Sequence, residues 1–345
     1  MALCATGMRP VSTNLSGIGS SRPLSLPSSR NFFDILSPTR DCLKSASRFA
    51  SLQQQQLTCW KLRDATAVDA SAVSGPYRAA QGNETSSTAA NDLLVVGAGV
   101  LGSLIGTNWL QQKQHERCKV VGQTNTCNRH EELRTLGIVP VTRNQQDGDD
   151  KFPFVVFSAP PSGSEDYVAE IRAAAQRWNG EGSLLLTSSS AVYDVSDNSV
   201  CDEISPLVAK GRSPRTDLLL NAEEEVLKVG GNVRGAHTFW LSKGAVDARP
   251  DHILNLIHYE DAAALCVAIL RKQTRSQVFM GCDNTPVSRQ DIMDAVAHSG
   301  KFEGRVFQGF TRTDGPLGKK MNNDVTRSLV DWQPKYNSFA AFLGI

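Results

Sequence analysis

From position 93 onward, short runs of apolar residues alternate with longer segments in which apolar residues recur at helical spacing. The run Leu93–Val96 has the form of a buried strand. After a glycine-rich turn, Leu101, Leu104, Ile105 and Trp109 fall on one face of a helix. This segment therefore predicts a strand, a turn and a helix, in that order.

The same alternation continues along the chain. Further strands are predicted at 119–121, 138–141, 154–157 and 184–186, and further helices at 131–136, 165–178 and 218–229. Parallel strands need a crossover connection, and a helix that packs on the sheet supplies it. We therefore predict an α/β fold, a doubly wound parallel sheet with helices on both faces.

The first 90 residues follow a different pattern. Residues 1–52 are rich in Ser and hold six basic but only two acidic residues, with no apolar segment after a basic start. This composition is typical of an organellar transit peptide, although an ordinary disordered tail is the alternative. We predict a transit peptide at 1–60, a disordered linker at 61–90 and a folded domain at 91–345. The abundance of Ser and the Met-Ala start favour the chloroplast stroma over the mitochondrion.

Composition and charge exclude several classes of protein. The 345 residues are 40% hydrophobic and 21% charged, with a net charge of +1, which is the composition of a globular protein. Such a small net charge supplies no general attraction for nucleic acids or anionic membranes. No uninterrupted stretch of about 18 apolar residues predicts a membrane-spanning helix. The eight cysteines show neither zinc-ligand nor disulfide-framework spacing, so no metal site is predicted.

The turn after the first strand carries the strongest chemical signal. Its sequence is Gly-Ala-Gly-Val-Leu-Gly at 97–102, a G-x-G-x-x-G motif between a predicted strand and a predicted helix. Gly97 permits the tight turn, Gly99 permits close approach of a pyrophosphate, and Gly102 permits close helix–strand packing. Val100 and Leu101 open the helix, whose N-terminus favours a phosphate. The turn predicts a dinucleotide site, with a turn of chance glycines as the alternative.

The end of the second strand bears on which dinucleotide is bound. Sites for NAD usually carry an acidic residue there that binds the ribose 2′-hydroxyl, but Thr124 and its neighbours include none before Glu131. Without that carboxylate a 2′-phosphate is not repelled, and Arg129 is placed to reach it. The sequence therefore favours NADP over NAD, although Arg129 is equally typical of a solvated helix start.

Four segments together resemble one family. They are the glycine turn, 187–194 (similar to the motif S-S-x-x-V-Y-G), 256–264 (similar to I-H-x-x-D-h-A, where h is apolar) and 319–336 (similar to N-x-x-L-x-x-x-L-G-W-x-P-x-Y). Their order and spacing are similar to those of the extended short-chain dehydrogenase/reductase superfamily, in its NAD-dependent epimerase/dehydratase group, and most of all to its atypical, plastid-targeted plant members. Asp331 stands where that family usually has Gly. The resemblance implies a Rossmann fold with a small C-terminal substrate lobe, here at about 237–255 and 286–345.

The resemblance also implies roles for individual residues. Ser189 falls at the position whose hydroxyl orients the substrate for hydride transfer, and Tyr193 follows it as a second candidate catalytic residue. Ser158, Ala159 and Pro160 follow the fourth strand, where the family's sheet edge meets the nicotinamide half of the coenzyme. A polar loop and a plain proline turn are the corresponding structural alternatives.

The family's Tyr-x-x-x-Lys pair is missing. The matching positions hold Arg215 and Leu219, and no tyrosine of the chain is followed four residues later by lysine. That lysine lowers the pKa of the tyrosine, so a protein without it needs another proton path or does no redox chemistry. Arg215 is always charged and is predicted to bind an anionic group of the substrate. His258 is a further candidate for substrate binding, with a core-facing histidine as the alternative.

Three functions follow. The first is an NAD(P)-dependent oxidoreductase or epimerase that acts on a small hydroxy or carbonyl compound or a nucleotide-sugar-like substrate. The second is a non-catalytic NAD(P)-binding sensor or assembly factor of the plastid. An RNA-binding role on the same fold is the least favoured, because the chain is nearly neutral.

Overall fold

The computed structural model describes residues 89–112, 117–143, 150–235, 245–300 and 307–345. The predicted transit peptide and all but the last residues of the predicted linker lie outside these ranges. So do residues 237–244 and 301–306 of the predicted substrate lobe.

The described residues form strands and helices in alternation. In chain order the strands are β1 (Leu93–Val96), β2 (Val120–Thr124), β3 (Val139–Thr142), β4 (Phe152–Phe157), β5 (Trp178–Ser188), β6 (Asp197–Cys201), β7 (Asn232–Gly235), β8 (Ala245–Val246), β9 (Ile253–Leu254), β10 (Val278–Met280), β11 (Val287–Ser288), β12 (Gly309–Phe310) and β13 (Gly318–Met321). The helices are α1 (Val100–Gln112), α2 (His130–Thr135), α3 (Tyr167–Gln176), α4 (Pro214–Lys228), α5 (Tyr259–Lys272), α6 (Arg289–His298), α7 (Asp324–Val330) and α8 (Phe339–Leu343).

Seven strands make one parallel sheet in the order β10-β7-β5-β4-β1-β2-β3. The strands predicted from the apolar runs all occur in it, with ends that differ by a few residues. The order reverses at β1 and β4, and a crevice at the carboxyl ends of the strands is the usual ligand site of such sheets. The glycine turn lies at this reversal.

Both faces of the sheet are covered, because side chains of a strand alternate between its two faces. Leu93 and Val95 of β1 pack into a core with α1, α2 and α5, in which Trp109 is fully buried. Leu94 and Val96 pack into a second core with α3 and α4. The predicted doubly wound α/β fold is confirmed.

The C-terminal segments build smaller sheets beside the large one. Four strands pair in the order β11-β9-β13-β6, and β12 pairs with β8. The strand β6 comes from the connection between β5 and α4, and the apolar pattern does not predict it. The tail is held by the buried carboxylate of Asp261, which accepts from the backbone N–H groups of Lys335 (2.7 Å) and Tyr336 (2.9 Å). Asp331, at the end of α7, has φ +50°, a left-handed conformation that explains the glycine usual at this position in the resembled family.

Candidate functional site

The glycine turn joins β1 to α1 and is pinned to the neighbouring strands. Gly97 and Ala98 both donate backbone hydrogen bonds of 3.0 Å to the carbonyl oxygen of Gln123 in β2. Gly97 has φ +89°, and a Cβ there would lie 2.4 Å from the backbone nitrogen of Ala159. Both the conformation and the close approach require glycine at this position.

The other two glycines of the motif have different surroundings. A Cβ on Gly102 would lie 2.5 Å from the carbonyl oxygen of Gly97 and 2.9 Å from Cγ1 of Val95, which is the close helix–strand packing expected of it. A Cβ on Gly99 would find no atom nearer than 4.0 Å. Gly99 thus faces open space. Unlike Gly97 and Gly102, it is not required to be small by any contact within the described fold.

That open space suits an anion. The first N–H groups of a helix have no intrahelical acceptor, and the helix dipole favours negative charge there. The first turn of α1 contains no acidic residue, and Val100 and Leu101 supply its first backbone N–H groups. The arrangement of Gly97, Gly99 and Gly102 fits a pyrophosphate at the start of α1.

The end of β4 lies directly against this turn. Ser158 donates its hydroxyl to the carbonyl oxygen of Gly97 (2.9 Å) and its backbone N–H to Val96 (2.8 Å). Tyr167 donates to the carbonyl oxygen of Ala159 (3.3 Å), and Pro160 precedes a single 3₁₀ turn. The structure therefore brings the predicted residues at the end of β4 together with the glycine turn.

The residues after β2 are also near the turn, with one partner that the sequence analysis missed. Arg129 donates to the carbonyl oxygen of Ala98 (3.3 Å). The same guanidinium forms a bidentate pair with Glu132, at 2.9 Å and 2.6 Å. Thr124 instead contacts His130 (2.9 Å). Glu132 balances the charge of Arg129 and so weakens its attraction for a 2′-phosphate.

A small cavity lies on the other side of the site, beyond the end of β5. Its volume is about 20 Å³, which is room for one water molecule. Ser189 and Tyr193 both line it, together with Ser190 and Glu223. The rest of its wall is apolar and consists of Val192, Val233, Val278, Phe279, Met280 and Met321.

Glu223 of α4 is a functional candidate that none of the sequence motifs singled out. It is 7% exposed and accepts a hydrogen bond from the hydroxyl of Ser188. Burial raises the pKa of this carboxyl to about 7, against a smaller lowering by Ser188. A signal in the sequence does exist, because Glu223 falls on the buried stripe of α4 that includes Leu219 and Val226.

Tyr193 lies beside a lysine that comes from another part of the chain. Lys319 of β13 donates to the carbonyl oxygens of Ser190 (2.9 Å) and Tyr193 (2.6 Å), and its ammonium is 5.8 Å from the centre of the Tyr193 ring. Burial nevertheless raises the pKa of Tyr193 above its ordinary value. The phenol therefore stays protonated near neutral pH, which works against a role for Tyr193 as a base.

Neither of the two predicted substrate-binding residues lines the cavity. Arg215 is exposed in the first turn of α4, whereas Leu219 is buried one turn later. His258 precedes α5 and accepts from the backbone N–H of Glu260 (3.3 Å). The centre of its ring lies 4.2 Å from that of Tyr336, with the two ring planes tilted by 56°, and none of these contacts involves a residue of the cavity. His258 is half-buried and caps α5, and its role in substrate binding stays a prediction.

Two further observations concern the described part of the chain as a whole. Its His, Cys, Asp and Glu side chains form no group of three or more that could hold a metal ion. None of its helices has the length and apolar character needed to cross a membrane.

Comparisons with known proteins give matches at the level of structure. No protein-family model and no curated protein matches the sequence. A conserved protein of unknown function from Silicibacter pomeroyi superposes with a TM-score of 0.58 at 20% identity, covering 73% of this chain and 96% of that one. The dTDP-glucose 4,6-dehydratase of Bacillus anthracis, in complex with NAD, gives 0.57 at 15% identity, covering 73% and 94%. The UDP-glucuronic acid 4-epimerase of Bacillus cereus, also with NAD, gives 0.57 at 15%, covering 73% and 96%. The chain shares the Rossmann-like α/β fold of these proteins.

Proposed function

We propose that the chain is an NAD(P)-binding, atypical member of the extended short-chain dehydrogenase/reductase superfamily that acts as an oxidoreductase or epimerase. The observation that carries this proposal is the contrast within the glycine motif. Gly97 and Gly102 are required by packing, whereas Gly99 faces open space at the start of a helix. A glycine that the fold itself does not need is explained by a ligand whose phosphates approach the backbone closely.

The residues around the turn have separate tasks in this proposal. The turn at 97–102 binds the pyrophosphate, while Ser158 and Ala159 border the nicotinamide half. Thr124 and Arg129 lie toward the adenosine half. The absence of an acid at the end of β2 favours NADP, and the charge of Glu132 opposes that preference.

The substrate would place its reacting oxygen in the cavity beyond β5, which has room for one water-sized group. A bound nicotinamide coenzyme supplies or accepts a hydride. Ser189 lines the cavity and holds a hydroxyl there, at the start of a 3₁₀ turn where it accepts from the backbone N–H of Ala191 (3.3 Å). This hydroxyl orients the hydroxyl or carbonyl group of a small substrate or of a nucleotide-sugar-like one.

We place the protein in the chloroplast stroma, with the mitochondrion as the alternative.

A second candidate function is supported by the residues that stand where the family has its catalytic Tyr and Lys, and by Tyr193. Arg215 is exposed, Leu219 is an apolar core residue, and the phenol of Tyr193 has a raised pKa. A protein that binds the coenzyme without hydride chemistry, as a sensor or assembly factor, accounts for these three facts. The two candidates share the coenzyme site and differ in turnover.

Calorimetric titration of the full chain with NADH, NADPH, NAD⁺ and NADP⁺ tests the shared site. We expect heat from at least one coenzyme, and the absence of heat from all four would overturn both candidates. Consumption of the reduced coenzyme with a panel of small ketones, aldehydes and nucleotide sugars then separates them. Turnover supports the enzyme, and binding without turnover supports the sensor.

A further inference from the structure

The cavity beyond β5 contains a buried carboxyl group that the proposed function has not used. We propose that Glu223 exchanges the proton with the reacting oxygen of the substrate, in place of the missing Tyr–Lys pair. This inference rests on the proposed oxidoreductase function. It makes Glu223 a catalytic residue, since the carboxyl lines the same cavity as Ser189, the cavity that takes the reacting oxygen of the substrate.

The position of Glu223 follows from the sheet. Its carboxyl contacts Ser188, the last residue of β5, and shares the cavity with Ser189. The adjacent strand β4 ends at Ser158, which contacts the glycine turn. Glu223 and the coenzyme site therefore lie at the same edge of the sheet, one strand apart, with the carboxyl on the side away from β1.

The cost of burying Glu223 calls for a reason. Among the described residues no lysine, arginine or histidine forms an ion pair with it, and Ser188 is the hydrogen-bond donor that it has. Burial of a carboxyl without a counter-ion disfavours its charged form. An apolar side chain would fill the stripe of α4 at lower cost, so the acid itself is the feature that needs explanation. Perturbed acids that line clefts are typical of functional sites.

The surrounding groups leave Glu223 as the one that titrates near neutral pH. Burial is the main cause that raises the pKa of Tyr167 of α3 and of Tyr193 after β5, and the charge of Glu223 raises both further. The cavity walls from β7, β10 and β13 are apolar. Over the neutral range both phenols stay protonated while the Glu223 carboxyl, with a pKa of about 7, changes its charge.

The proton balance of the step is simple. In reduction, a hydride from the reduced nicotinamide coenzyme forms the new C–H bond at the carbonyl carbon, and the C=O π electrons move to the oxygen. That oxygen takes the proton of the Glu223 carboxyl, and water returns a proton to the carboxylate afterwards. In oxidation, the carboxylate removes the hydroxyl proton as the hydride leaves for the oxidised coenzyme.

The competing explanation is that Glu223 has only a structural role, in which its hydrogen bond with Ser188 holds α4 against β5. Glu223→Gln separates the two, because the amide oxygen still accepts from Ser188 whereas the amide cannot exchange a proton. Glu224→Gln is the matched control, since Glu224 is the next residue on α4 and pairs with Lys210 at the surface (2.7 Å).

The experiment uses the full chain, and coenzyme titration comes first. If the wild-type protein binds none of the four coenzymes, the proposed function fails rather than this inference. Given binding, we expect Glu223→Gln to keep the coenzyme affinity and to lower carbonyl reduction by about 10²–10⁴-fold, the usual contribution of positioned acid–base catalysis. Glu224→Gln should match the wild type. A wild-type rate and pH profile in Glu223→Gln would overturn the inference.

Two further measurements test the proton exchange by Glu223 without relying on Glu223→Gln alone. Infrared titration of the wild type with bound coenzyme should show a protonated carboxyl band that disappears near pH 7, and its absence at pH 6 would overturn the proposal. Ser188→Ala removes a hydrogen bond that lowers the pKa of Glu223, so the midpoint of the titration should move to higher pH. A midpoint that stays in place would assign the band to another group and contradict the proposal.

Discussion

Replacement of Gly99 by Asp should weaken coenzyme binding while it leaves the fold intact. The carbonyl oxygen of Gly99 accepts the first hydrogen bond of α1, from Ser103 (2.9 Å), so Gly99 occupies the N-cap position. Asp is among the best N-cap residues, and a negative charge at a helix N-terminus adds about 0.3–1 kcal/mol of stability. A Cβ on Gly99 also meets no atom nearer than 4.0 Å. The melting temperature should therefore hold or rise, by up to about 4 °C.

The effect on binding has the opposite sign. One pair of like charges about 4 Å apart costs about 1 kcal/mol in water and about 4 kcal/mol at a partly buried site, and a carboxylate at this position would face the space proposed for the pyrophosphate. These energies correspond to a Kd that is about 5-fold to about 1,000-fold weaker. Gly99→Asn is the matched control, because Asn has the same shape and capping ability without the charge.

The assay pairs calorimetric titration with thermal unfolding followed by circular dichroism. We expect Gly99→Asp to bind more weakly than Gly99→Asn, with both unfolding at or above the wild-type temperature. Equal affinities in the two variants would refute the placement of phosphate charge at Gly99. A fall in melting temperature of both variants would refute the inference that packing leaves this position free.

Three further outcomes are expected. Gly97→Ala forces a side chain into φ +89° and against Ala159, and should destabilise the fold by at least about 1–3 kcal/mol in thermal unfolding; an unchanged melting temperature would contradict the turn geometry. Glu132→Gln frees Arg129 and should raise the affinity for NADPH relative to NADH by up to about 5-fold in fluorescence titration, in line with the ~1 kcal/mol of an exposed ion pair; an unchanged ratio would remove Arg129 from the 2′ site. Because the folded-state pKa of Glu223 is about 7 against an ordinary 4.5, its contribution to stability is complete below pH 4.5 and is lost as the pH rises through 7. Burial also raises the pKa of Asp283 to about 6, so urea unfolding should show a loss in both proteins that is larger in the wild type than in Glu223→Gln, by on the order of 3 kcal/mol.

The sequence by itself determined five of the seven strands of the large sheet and the roles of two glycines. Runs such as Leu93–Val96 are apolar at every position, and only a strand covered on both faces buries them all. The glycine turn is equally local, since the fold of a strand, a tight turn and a helix depends on residues next to one another in the chain. These features depend on residues that are neighbours in the chain and not on distant contacts.

Tertiary structure decided which side chains meet. Arg129 reaches the carbonyl oxygen of Ala98, 31 residues away in the chain, because the segment after β2 folds back toward the glycine turn. Lys319 reaches Tyr193 from a strand 126 residues away in the chain. Glu223 shares a cavity with Ser189 because α4 returns across the end of β5. Local patterns fix backbone conformation through steric and hydrophobic preferences, whereas the charge and proton chemistry of a site depend on groups that only the crossovers of the chain bring together.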